Sequence, residues 1–273
     1  MGIKTWQQLP VIEELISMNR ITQAFDKNGK KTLIAVITGG DPTVEMTKKL
    51  IIQMVEAGVD LIEIGIPFSD PAAEGAVTQR ANIRGIASKT TVDHLFEMVK
   101  ELRQTVQIPI LFMAYANLIF VYGKERFMKN CANFGVDGVV VPDLPLEEMD
   151  EFREESRKYG IAQIPMISPT STERITRIVD VAEGFLYCIC PNKATDEADV
   201  IEKIVGGMVE KVDGKLPCAV AFDVATPDQV RGVARFADGV IIGNAIVSLI
   251  EEHGADAIQP VVEFVTSMRK ELD

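Results

Sequence analysis

Short apolar or β-branched runs recur along the chain: LIAVIT at 33–38, DLIEIG at 60–65, PILFMAY at 109–115 and GVVVP at 138–142. They continue with AQIPMI at 162–167, FLYCIC at 185–190, CAVAF at 218–222 and GVIIG at 239–243. Each has the length of a buried strand rather than a helix. Between them lie segments with apolar positions at helical spacing and charged opposite faces: 43–58, 91–106, 147–160, 171–184 and 226–239. Regular alternation of strand and helix predicts parallel strands joined by right-handed crossovers. Eight such units predict a closed (β/α)8 TIM barrel rather than an open doubly wound sheet.

Three segments echo one another: EAGVDLIEIG, NFGVDGVVVPD and RFADGVIIGNA each place a small residue and an aspartate just before a strand. No proline-rich or Gly/Ser-rich linker divides the chain and no composition shift marks a boundary, so residues 1–273 are expected to form one barrel domain. The amphipathic stretch VIEELISMNRITQAF (11–25) predicts an extra N-terminal helix, and the tail after 244 a last helix or helix pair.

Composition narrows the function classes. A hydrophobic content of 47% over 273 residues supports a sizeable core. A net charge of -12 repels nucleic acid and anionic membrane surfaces. No apolar span approaches the roughly 20 residues of a transmembrane helix, and Glu13 and Glu14 interrupt the apolar positions a secretory signal needs. Cys131, Cys188, Cys190 and Cys218 lie in apolar surroundings, as expected of reduced thiols in a cytoplasmic protein. Cys188 and Cys190 share a strand face, but with only His94 and His253 to complete a metal site they read as structural, and no metal is expected.

The candidate chemistry sits in LIEIGIPFSDPAAEGA (61–76). Strand alternation turns Glu63 away from Ile62 and Ile64, which face the helices, so its carboxylate points into the barrel mouth. Shielding from water there raises a carboxyl pKa and makes Glu63 an acid/base candidate; the competing reading is a barrel-lining glutamate neutralised by a basic partner. Asp70 stands before a proline in a turn-rich loop and reads as turn chemistry. Glu74, on the same loop, reads either as a solvated glutamate or as an acid folded back over the pocket.

The segment EIGIPFSDPAAEGAVTQ resembles the signature of the tryptophan synthase α-chain family. TGGDP (38–42), MAYANLIF (113–120), GVDGVVVPDLPLEE (135–148), TPDQV (226–230) and ADGVIIGNAIV (237–247) agree with it in order and spacing. The resemblance spans about residues 15 to 270. It implies a barrel that cleaves indole-3-glycerol phosphate to indole and glyceraldehyde 3-phosphate by a retro-aldol step, with no cofactor of its own. It also implies a pyridoxal-phosphate β chain as partner in an αββα assembly. By that pattern Glu63 is the main proton-transfer residue. Glu74 stands where the family has an aspartate that holds the indole N–H, one methylene longer. Tyr187 and Phe222 match pocket aromatics, although each also fits a plain core position.

The phosphate end departs from the pattern. Asp196 falls near an expected glycine, Asp223 replaces another, and Asn244 replaces a serine, while Lys193 offers a cation and Gly243 with Asn244 still opens the final helix toward an anion. Val36 replaces a common phenylalanine, and Ala35 and Ala76 replace prolines, which implies a looser pocket wall. Lys193 as a Schiff-base lysine is a weaker alternative. Two further readings follow: a diverged barrel lyase on a different, possibly unphosphorylated substrate, and a non-catalytic relative that binds the β partner.

Overall fold

The computed structural model describes residues 20–26, 29–171, 174–190, 202–223 and 225–273. The expected strands are all present as β1 (Thr32–Thr38), β2 (Leu61–Gly65), β3 (Ile110–Met113) and β4 (Gly138–Val140), then β5 (Ala162–Ile164) and β6 (Met166–Ile167). The ring continues with β7 (Leu186–Ile189), β8 (Cys218–Ala221) and β9 (Gly239–Ile242). Every pairing is parallel, in the order β5-β4-β3-β2-β1-β9-β8-β7-β6. The run expected as one strand at 162–167 is split because Pro165 has no N–H for the ladder. Its carbonyl still accepts from Tyr187 N at 3.1 Å, so β5 and β6 are two halves of the fifth barrel strand and the ring is that of an eight-stranded barrel.

Side-chain parity sorts the core into two shells. Ile34, Leu61, Leu111, Val140, Ile164, Tyr187 and Ile241 pack inside the ring, while Leu33, Ile62, Ile64, Phe112, Val139, Cys188 and Val240 pack outward against the helices. Each fully buried Leu or Ile contributes about 1.5–3 kcal/mol. All four cysteines are free and buried. Of the expected N-terminal helix, Arg20–Phe25 is observed, and residues 11–19 lie outside the described residues. Ile21 is fully buried in the inner shell, where a Cβ on Gly138 or Gly184 would approach it, so this helix plugs the amino end of the barrel. The tail is a helix pair, Asn244–His253 and Ile258–Arg269.

The repeated aspartate has one job at all three positions. Leu33 N donates to Asp60 Oδ2, Ile110 N to Asp137 Oδ2 and Cys218 N to Asp238 Oδ2, at 2.9, 2.8 and 2.9 Å. In return the backbone N–H of each aspartate donates to the carbonyl of the same residue. Each aspartate thus satisfies an amide at the start of the preceding strand and fixes the register of the pair. Arg269 balances Asp60 at 2.7 Å, and Arg103 and Arg20 balance Asp137 at 2.5 and 2.8 Å.

One helix matters most for the site. Ala76–Ala87 follows the loop after β2 and packs so closely that a Cβ on Gly85 would lie 2.7 Å from Pro67 Cγ and 3.0 Å from the Gly39 carbonyl. Arg84 holds it in place, with two 2.7 Å bonds to the buried Asp41 and another to Glu251, which also pairs with Arg80.

Candidate active site

At the carboxyl ends of the strands the barrel opens into a cavity of about 170 Å³. Thr38, Gly65, Met113, Ile189 and Ala221 line it from strand ends, with Glu74, Tyr187, Phe222, Gly243 and Asn244 around them. This is the end of a (β/α)8 barrel at which catalytic groups gather. A larger cavity of about 510 Å³ opens beside the fifth strand, lined by Leu144, Gln163, Ser168 and Arg174. It holds neither of the paired glutamates, so the chemistry is assigned to the smaller one.

Glu63 points inward between Val36 of β1 and Leu111 of β3, its register partners. It is fully buried, below the cavity lining rather than exposed in the mouth. Among the described residues neither carboxylate oxygen has a hydrogen-bond partner, which contradicts the reading of a glutamate neutralised by a basic neighbour. Burial, and then the charge of Glu74, push its pKa up to about 8. An uncompensated buried carboxylate is costly, so the group takes a proton instead.

Glu74 is folded back over the pocket, not solvated. Burial raises its pKa to about 7, while the Asn82 amide, donating to Glu74 Oε2 at 2.6 Å, works in the opposite direction. Asn82 is itself buried and anchored: its Oδ1 accepts from Phe68 N at 2.8 Å and its Nδ2 also donates to Thr78 O at 2.9 Å. Tyr115 stiffens the same loop by accepting from Ala73 N at 3.0 Å and stacking on Phe68. Asn82 and Tyr115 escaped the sequence reading, since nothing in their local spacing marks a partner that only the folded loop supplies.

Tyr187 lines the inner wall, and burial, followed by Glu63 and Glu74, holds its hydroxyl well above the ordinary range. It therefore stays a neutral donor beside the two acids. Phe222, Gly243 and Asn244 reach the cavity as expected, and so does Asp223. Asp70 accepts from Ser69 Oγ at 2.5 Å on the exposed loop, as turn chemistry requires. Val36 faces the cavity, but the looser wall expected from Ala35 and Ala76 is not found. Ala35 packs in the outer shell and Ala76 is exposed, so neither shapes the pocket. Lys193 and Asp196 lie outside the described residues.

The family model described as tryptophan synthase alpha chain matches residues 22–273. The tryptophan synthase alpha chain of Caldanaerobacter subterraneus subsp. tengcongensis is 37% identical over 262 residues, covering 93% of this chain and 100% of that one. That of Thermoanaerobacter sp. (strain X514) is 36% identical with the same coverage. The solved structure of tryptophan synthase subunit alpha from Legionella pneumophila str. Paris superposes with a TM-score of 0.87 at 38% identity, over 94% of this chain and 99% of that chain. A parallel barrel with a buried, protonatable glutamate below a second one, matched over nearly its whole length, therefore belongs to the tryptophan synthase alpha chain family.

Proposed function

We propose that this chain is a carbon–carbon lyase of tryptophan biosynthesis that cleaves indole-3-glycerol phosphate to indole and glyceraldehyde 3-phosphate, with Glu63 and Glu74 in the roles the geometry suits. The observation that carries it is Glu63: a fully buried carboxyl with a pKa of about 8 and no partner among the described residues, set beneath a cavity that holds a second acid.

The reaction breaks the bond between indole C3 and the first glycerol carbon. C3 receives a proton, the hydroxyl on that glycerol carbon loses one, and the oxygen becomes the aldehyde carbonyl. A carboxyl that holds its proton at neutral pH suits the first transfer, and its conjugate base suits the second. Glu63 is the acid and base of this cycle. Glu74, held by Asn82, accepts the indole N–H and steadies the ring as C3 is protonated. Tyr187 and Phe222 provide apolar wall for the indole, while Gly243 and Asn244 face the far end of the substrate.

The partner in this reading is a β chain, as an αββα assembly. Phe120, which closes the segment MAYANLIF (113–120), and Val121 beside it are 47% and 81% exposed, an apolar pair suited to burial in an interface. The functional unit is a single barrel domain over 1–273, supported by a strand ring drawn from residues 32–242 with the terminal helices packed on it. A cytoplasmic location is supported by four reduced, buried thiols; among the described residues no helix is long and apolar enough to cross a membrane.

Indole release by the purified chain, measured with and without a β chain, tests the reading. Wild type is expected to exceed a Glu63→Gln control by at least about 100-fold, and equal rates would overturn it.

A further inference from the structure

The helix Ala76–Ala87 carries two polar side chains into the lining of the cavity. Asn82 donates to Glu74 Oε2, and one turn earlier Thr78 Oγ1 donates to Asn244 Oδ1 at 3.0 Å, while Asn244 Nδ2 donates in turn to Asp223 Oδ1. Any shift of this helix as a body therefore disturbs both contacts at once. At its amino end it has no local anchor: Gly75, the N-cap, supplies no side-chain bond, and no acidic residue stands in the first turn. Its position is set by what holds it further along.

Arg84 is that hold. Its Nε and Nη2 donate to the two carboxylate oxygens of Asp41, and its Nη1 to Glu251 Oε1, all at 2.7 Å. Asp41 is 1% exposed and lies on the loop after β1, whose last residue, Thr38, lines the cavity. Glu251 lies on the helix Asn244–His253, the one that begins with Asn244. One guanidinium thus ties the helix to the barrel rim on one side and to the helix bearing Asn244 on the other. The planar fork fixes both carboxylates in direction, which the point charge of a lysine does not. Arg84 itself is absent from the cavity lining, so it acts on the site through the helix it holds.

We propose that Arg84 is a positioning residue of the lyase site: by fixing the Ala76–Ala87 helix against Asp41 and Glu251 it keeps the Asn82 amide on Glu74. The proposal rests on the lyase reading for the reaction, whereas the contact it describes can be measured in the ligand-free protein. Besides Asn82, the groups that sense the charge of Glu74 are Glu63 beneath it and the hydroxyls of Tyr115 and Tyr187, and Asp223 lines the same cavity. None of these four lies on the Ala76–Ala87 helix, so a change at Arg84 reaches Glu74 by way of Asn82.

The test follows the Glu74 carboxyl by carbon NMR titration in wild type, Asn82→Ala, Arg84→Lys and the double variant, beside kcat/KM for indole release across pH. Arg84→Lys keeps a counter-charge for the buried Asp41 but loses the fork. It is expected to raise the titration of Glu74 by about half to one pH unit, in the direction of Asn82→Ala. Its kcat/KM at pH 7 is expected to fall about 3- to 10-fold and to recover toward high pH, with the double variant no worse than Asn82→Ala alone. A merely structural role would lower kcat/KM equally at every pH, leave Glu74 unmoved and add its loss to that of Asn82→Ala. Arg84→Gln combined with Asp41→Asn, which leaves no buried charge unpaired, provides the same readings should the lysine variant fail to fold. An unmoved Glu74 in the folded Arg84 variant, or losses that add in the double variant, overturns the proposal. If no protein releases indole, the lyase reading fails and the titration alone decides: a shift that the double variant does not exceed beyond Asn82→Ala upholds the role of Arg84, and no shift or an additive one overturns it.

Discussion

The Asn82 amide donates to Glu74 Oε2 at 2.6 Å and thereby ties the second acid of the site to the helix that follows it. The bond favours the charged form of Glu74, against the burial that raises its pKa to about 7. Asn82→Ala removes it, so the pKa of Glu74 rises further. If Glu74 works as a carboxylate, the ascending limb of the kcat/KM profile moves up by about one pH unit. At pH 7 the loss is expected to be on the order of 10-fold, recovering partly at high pH. A residue that only supported the loop would lower kcat/KM by the same factor at every pH, and the full profile separates the two cases.

Glu63 links the proposed proton transfer to stability. Its folded pKa of about 8 lies above the ordinary 4.5, so the folded state binds this proton more tightly than the unfolded chain does. The favourable contribution is complete below the unfolded pKa and is lost as pH rises through the folded one. Glu63→Gln cannot ionise. Its unfolding free energy is therefore expected to match wild type near about pH 4 and to exceed it by on the order of 4 kcal/mol near about pH 8. Urea midpoints across that range check this, and a difference that does not grow with pH would refute it.

The three aspartates before strands share a geometry but not a cost of removal. Asp60 is 7% exposed and balances Arg269, whose side chain is only 12% exposed. Asp60→Ala removes the buried partner of that guanidinium, leaves it only the half-exposed Asp273 as counter-charge, and is expected to cost about 3 kcal/mol. Asp238 is exposed, and Asp238→Ala, which loses its bond to Cys218 N, should cost about 1 kcal/mol. Paired denaturation curves measure the gap, and equal losses would show that the backbone bond rather than the ion pair dominates.

Gln163 is 7% exposed, and neither polar atom of its side chain has a partner among the described residues. It faces the larger cavity among Leu144, Met149 and Ile178. Gln163→Leu keeps the approximate volume and removes the desolvated amide, so it is expected to stabilise the fold by about 1–3 kcal/mol. Lyase activity should not change, because the residue is absent from the lining of the catalytic cavity. A loss of stability would show that the amide has a bound water or other partner.

Much of the barrel is legible along the chain because its signals are local. Eight β-branched runs separated by amphipathic segments dictate parallel strands, and the period of two along LIEIG puts Glu63 inside the ring by stereochemistry alone. Pro165 splits the fifth run in a way that follows from its missing N–H. The aspartate echo is equally visible as a pattern, but its purpose is not: each aspartate serves a residue at the start of another strand, 27 positions away for Asp60 and Asp137 and 20 for Asp238.

The family was likewise legible in the sequence, in motifs that carry Glu63, Glu74, Tyr187 and Phe222 as candidate site residues. Their electrostatic state was not, since a pKa depends on which groups share a water-poor volume, and that volume exists only once the ring has closed. The tertiary structure alone decided that Glu63 has no basic partner among the described residues, that Asn82 holds Glu74, and that Ala35 and Ala76 face away from the pocket. It also decided that Asp223, Asn244 and Thr78, contributed by three separate units of the barrel, meet at one end of the cavity. Local sterics set the face a side chain takes; closure of the ring sets which charges it must face there.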